Sequence, residues 1–222
     1  MQFGQLPFDV AHGLAGGMLL VSFVLLYQRR VSALIGALAT QGALLGMAAL
    51  WQGWVQGATG LYLTGLIAIV AKAVLIPWAL SKLVDRLSLH RTVQTALGIG
   101  PSMIAGVALV ALALVVALPV SAGGSVLARE DLAVALSIVL LGMLVMIARR
   151  NAIGQVIGLM SLENGLILAA VGVQGLPLVV ELSTAALVLV IALVAGVFLT
   201  GIRERFDSLD IAFLEDHRGE RR

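Results

Sequence analysis

The sequence predicts an all-α integral membrane protein of about seven transmembrane helices, with its N-terminus outside and its C-terminus cytoplasmic. Three observations lead there. Of 222 residues, 60% are hydrophobic and 12% charged, and the mean hydropathy is +1.07; a soluble domain carries about 25% charged residues to cover its surface. Apolar runs of about 20 residues recur along the whole chain, the length that a hydrocarbon core about 30 Å thick requires. Basic residues crowd into alternate connections between those runs, as orientation in a membrane demands. The runs are continuous and do not alternate, which excludes a β-barrel.

The spans follow in order from apolar runs and their punctuation. The first covers roughly Phe8 to Tyr27. It has no Lys or Arg ahead of it and is followed by Tyr27-Gln28-Arg29-Arg30, with no small-residue cleavage site, so it reads as a retained helix and not a signal peptide. The second covers Val31 to Gln52 and the third Ala58 to Leu80. The fourth runs from Pro101 to Ala122, with Pro101 in a first turn where a missing N–H is harmless. Ser121 to Ser125 is a loop. The fifth spans Asp131 to Ala148, and the sixth Asn151 to Val173, with Asn151 a natural N-cap. The seventh runs from Pro177 to Ile202. Three regions result: a four-helix part over 1–122, a three-helix part over 131–202, and a charged cytoplasmic tail over 203–222. In the tail Phe206, Leu209, Ile211, Phe213 and Leu214 recur among charges, as in a short amphipathic segment that docks on a partner or a membrane surface.

Charge sets the orientation. Arg29 and Arg30 lie in the first connection, Lys82, Arg86 and Arg91 in the third, Arg149 and Arg150 in the fifth, and five arginines in the tail. Arg129 alone lies on the opposite side. The rich side is cytoplasmic, and removing one span would break the alternation. Basic residues confined to short connections do not suit nucleic acid. Cysteine is absent, so disulfides, thiol catalysis and Fe-S ligation by this chain are excluded.

Ionisable residues at depth are the functional pointers, because each costs about 2.5–3.5 kcal/mol to insert. Glu163 lies about 12 residues into the sixth span and must face protein or water; the alternative to a proton-carrying site is a structural hydrogen bond to a neighbouring helix. Gln155 and Glu163 share a face at i and i+8, and Asn164 adjoins, so both are expected as polar support. Lys72 lies about 12 Å inside the cytoplasmic end of the third span; it either snorkels to headgroups or titrates in a polar path. Pro77 frees a backbone carbonyl near its turn. Glu181, one turn into the seventh span, either joins such a path or is hydrated at a helix start where the dipole favours it. His12, early in the first span, is the weakest candidate and reads equally as an interfacial histidine. The patterns Gly13-x-x-x-Gly17, Gly42-x-x-x-Gly46 and Gly154-x-x-x-Gly158 permit close helix packing. No phosphate-binding loop, metal-ligand cluster or nucleophilic triad is present, so the chain reads as a membrane subunit without catalysis or cofactor of its own.

The segment Arg149-Arg150-Asn151-Ala-Ile-Gly-Gln-Val-Ile-Gly-Leu-Met-Ser-Leu-Glu163-Asn164 resembles the three-helix K subunit of respiratory complex I and the related C subunit of multisubunit cation/proton antiporters, over about Asp131 to Asp210. With four additional N-terminal helices and a charged tail, the whole chain resembles component E of hydrogenase-4-type and formate hydrogenlyase-like membrane complexes. The resemblance implies a subunit of the bacterial or archaeal cell membrane with no cofactor of its own. Its partners would be antiporter-like membrane subunits and hydrogenase-arm subunits carrying NiFe and Fe-S centres. The function implied is part of a proton or Na+ path coupled to hydrogen chemistry, with a noncatalytic scaffold or an antiporter subunit as alternatives. Aligned on these segments, the family's membrane glutamate falls at Met160, and Glu163 lies three residues later, about 4.5 Å along the helix. The family's second glutamate corresponds loosely to Glu181.

Overall fold

Long apolar rods dominate the architecture of the computed structural model, which describes residues 6–86, 96, 98–120 and 126–172. The described residues form seven α-helices: α1 (Leu6–Tyr27), α2 (Val31–Gln56), α3 (Thr59–Ile67), α4 (Ile76–Arg86), α5 (Ile99–Val120), α6 (Val126–Ala148) and α7 (Ala152–Gly172). A π-helical segment, Ala68–Leu75, joins α3 to α4 without a break in helical backbone. Among the described residues there is no strand, and five helices are long and apolar enough to cross a membrane: Pro7–Tyr27, Val31–Gln56, Thr59–Asp85, Ile99–Ala117 and Ala152–Val171. The apolar part of α6 is the shorter Leu132–Ala148. The seventh predicted span, the loop at Ser121 to Ser125, the tail and Glu181 lie outside the described residues.

Several helix ends differ from the sequence expectation. The second span continues to Gln56 and stops at Gly57, whose φ of 65° is the left-handed conformation that closes helices, with its N–H bonded to Gly53 O. The third runs on to Arg86, because the amphipathic turn after Leu80 carries helix-favouring residues past the apolar boundary. α5 begins at Ile99, two residues before Pro101, which remains within the first turn. α6 begins at Val126, ahead of Asp131, since no breaker separates the two. Asn151 caps α7 as expected, its Oδ1 accepting from Gly154 N at 2.9 Å.

In the bundle α2 is central, packed on α1, on the rod formed by α3, the π segment and α4, and on α7; α6 packs against α7, α5 and α1. The core falls into two apolar clusters. One gathers Leu25, Leu34, Leu38, Leu80, Leu141 and Ile157, the other Met18, Leu45, Ala49, Ala68, Ile138 and Ile167. Large apolar side chains also cover the outside: Leu20, Leu66, Ile104, Val115 and Ile147 are all more than half exposed. Contiguous apolar exposure on this scale is a liability in water and normal against lipid, where tails are as apolar as leucine.

Two of the three glycine patterns mark close approaches. A β-carbon at Gly42 would lie 2.7 Å from the Lys72 carbonyl carbon, and Gly46 packs on Ile69 and Gly65. A β-carbon at Gly158 would lie 2.7 Å from Met146 N, one helix over in α6, and one at Gly154 would lie 2.9 Å from the Arg149 side chain. Gly13 has nothing within 4 Å and Gly17 meets Leu44 at ordinary distance, so that pattern closes no helix pair among the described residues.

Candidate functional site: a polar layer between two apolar layers

Between the two apolar clusters lies a level of polar side chains. On α1, Ser22 falls between Met18 and Leu25; on α2, Gln41 falls between Leu38 and Leu45. On the third rod, Lys72 falls between Ala68 and Ile76; on α7, Glu163 and Asn164 fall between Met160 and Ile167. All five are buried.

Lys72 Nζ meets Glu163 Oε2 at 3.0 Å, with side-chain exposures of 7% and 5%. Of the two expectations for Lys72, the structure therefore shows the ammonium held on a carboxylate and not turned toward the headgroups. Beside the pair, Asn164 Nδ2 donates to Gln41 Oε1 at 3.1 Å. Gln41 Nε2 donates to Ser22 Oγ at 2.8 Å, and Ser22 Oγ donates to Met18 O at 3.0 Å. This chain ties α7 to α2 and α1 through buried groups, each of which would be costly to leave unpaired.

The backbone around Lys72 is itself unusual. The N–H of Ile76 reaches back five residues to Ala71 O, and Pro77 has no N–H to offer the carbonyls one turn earlier. A proline inside a helix removes a donor and clashes with the preceding turn; here the helix widens into the π form just ahead of it. The Lys72 carbonyl faces Gly42, whose missing side chain admits it.

Three acceptor atoms in this part of α7 lack a hydrogen-bond partner among the described residues: Ser161 Oγ, Asn164 Oδ1 and Glu163 Oε1. The layer thus holds a charge pair and spare buried acceptors, the ingredients of a site that takes up, holds and releases a proton.

The other candidates fall elsewhere. Gln155 is not support for Glu163. It is exposed near the start of α7, its Nε2 donating to Arg149 O at 3.3 Å; sharing a face at i and i+8 still leaves the two about 12 Å apart along the axis. His12 lies in the first half of α1, with Nδ1 2.9 Å from Phe8 O, about 15 Å along the helix from Ser22. Among the described residues no group of three metal-ligating side chains converges.

Sequence reasoning missed Gln41 and Ser22. It also missed the burial of Arg149, read as a charge in a connection and as the start of the Arg-Arg-Asn motif; the side chain is 2% exposed. Its Nη2 donates to Leu25 O at 2.6 Å, Leu26 O at 3.1 Å and Gln28 O at 2.6 Å. The guanidinium thereby closes the carbonyl end of α1, where a cation suits the helix dipole. Burial, and after it the charge of Arg29, holds Arg149 below the usual guanidinium range.

Comparison with known proteins adds one relative: the uncharacterized protein Rv0085 of Mycobacterium tuberculosis is 28% identical over 206 residues, covering 92% of this chain and 94% of its own length. No family model matches the chain, and no solved structure matches it.

Proposed function

We propose that this chain is a seven-span subunit of a membrane-bound energy-converting NiFe-hydrogenase or formate hydrogenlyase-type complex, in a bacterial or archaeal cell membrane. Lys72 and Glu163 would form part of a proton path along the membrane midplane. The observation that carries the reading is the Lys72–Glu163 ion pair, buried in a polar layer between two apolar ones. A carboxylate beside an ammonium exchanges a proton at little electrostatic cost, since the ionic and neutral forms of the pair carry the same net charge. Asn164 and Gln41 extend the layer sideways across the bundle, the direction a midplane path takes. Hydrogen chemistry and its NiFe and Fe-S centres belong to partner subunits in this reading.

A second reading is favoured by the directness of the pair: Lys72 and Glu163 already neutralise each other, as braces between helices do. One experiment separates the two. Glu163→Gln keeps the shape and an acceptor oxygen for Lys72 but cannot titrate. For a proton carrier, the variant complex assembles, keeps hydrogenase activity with an artificial electron carrier, and loses proton pumping in vesicles. For a brace, Glu163→Gln pumps as wild type while Glu163→Ala prevents assembly. Copurification of antiporter-like subunits alone, with no NiFe subunit, would reassign the chain to a cation/proton antiporter.

A further inference from the structure

The buried guanidinium of Arg149 is only partly used. Its Nη2 serves α1, but its Nε and Nη1 have no hydrogen-bond partner among the described residues, at 2% exposure. A buried cation with unmet donors is costly unless an anion meets it.

Among the described residues, the neighbouring connections add positive charge. Arg149 binds the carbonyl of Gln28, the residue before Arg29 and Arg30, and Arg150 follows it in the chain. Arg29, Arg30 and Arg150 are exposed. No ion pair among the described residues involves any of the four. The start of α2 adds to the field: Arg30 is its N-cap residue and offers no side-chain cap bond, so amide N–H groups and the positive end of the helix dipole face this corner.

We propose that Arg149, with Arg29, Arg30 and Arg150, forms a binding site for the phosphate of an anionic phospholipid. The corner lies where α1 ends, α2 begins, α6 ends and α7 begins, which is the edge of the apolar rods and hence headgroup level. That position favours a lipid phosphate over a soluble anion, and the planar guanidinium suits phosphate oxygens better than an ammonium does. Exposed arginines at the rim draw the headgroup in, and the Arg149 guanidinium, enclosed beneath them, adds its charge from below. The lipid acts as a staple across the two helix connections, and the inference stands whether or not the chain serves a hydrogenase.

The test uses the full chain purified in a neutral detergent, with bound lipid counted by native mass spectrometry during titration with phosphatidylglycerol, phosphatidylcholine or inorganic phosphate. Phosphatidylglycerol should bind and raise the unfolding temperature where phosphatidylcholine does not. Arg29→Gln and Arg150→Gln, which remove no hydrogen bond from the fold, should each weaken phosphatidylglycerol binding about fivefold. Arg149→Lys, which keeps the charge, should weaken it further. Lys82→Gln removes a charge held over the Trp78 ring at 3.9 Å and should leave binding unchanged. Equal binding of phosphatidylcholine, or equal weakening by Lys82→Gln, would overturn a specific site. Displacement of the lipid by millimolar phosphate or by a glutamate-rich peptide would overturn the lipid as its occupant.

Discussion

Gly42 and the backbone of Lys72 are in direct contact: a β-carbon on Gly42 would lie 2.8 Å from the Lys72 carbonyl oxygen and 2.9 Å from its Cβ. Backbone cannot yield as a flexible side-chain tip can. Gly42→Ala should therefore cost about 1–3 kcal/mol and push Lys72 away from Glu163. Gly13→Ala, with nothing within 4 Å, should be neutral or stabilising by up to about 1 kcal/mol through helix propensity. Thermal unfolding of the two variants in detergent checks the contrast, and equal melting temperatures would refute the close approach.

Breaking the buried pair from one side leaves a lone charge. Lys72→Met and Glu163→Met should each lower stability by about 3–5 kcal/mol, and the double variant should recover most of the loss. Chemical unfolding in a thermodynamic cycle measures this; simple additivity would mean the two residues do not interact.

Gln41 is the middle link of the amide chain, bonded to both Ser22 and Asn164. Gln41→Leu preserves bulk but orphans both neighbours, at a cost of about 1–3 kcal/mol. Gln41→Glu keeps an acceptor for Asn164 but brings a carboxylate into the layer, and is expected to be at least as damaging. Both are read from unfolding curves, with Gln155→Leu as a control at an exposed position.

The reading of orientation is open to a direct check. A cytoplasm-only reporter fused after Arg222 should be active, because the basic connections are expected to stay inside. A stable but silent fusion would remove the seven-span arrangement.

The rods were legible in the sequence because hydropathy over a long run is a one-dimensional signal. Lys72 and Glu163 also stood out, since a charge in an apolar span has an insertion cost that demands a reason. That the two touch was not legible: it depends on which helices are neighbours and how each is rotated. Gln41 and Ser22 were overlooked because neutral polar residues insert at lower cost and blend into spans rich in glycine and alanine. Gln155 was misplaced by reasoning about helix face without depth. The wide turn at Ala68–Leu75 had a visible cause in Pro77, which was read as freeing a carbonyl but not as changing the helix type.

The π segment also decides where the chain tolerates losing a residue. Each α-helical residue turns the rod by about 100°, so a single deletion in α2 would swing everything beyond it onto the wrong face and separate Gln41 from Gly46 and Gly53. The rod from Thr59 to Arg86 instead carries slack, because a helix bonded five residues back holds an extra residue relative to one bonded four back. Deleting one residue between Ala68 and Ala71 would tighten that stretch to α-helix and leave the flanking segments in phase. Length variation in this membrane region should therefore concentrate just before Lys72.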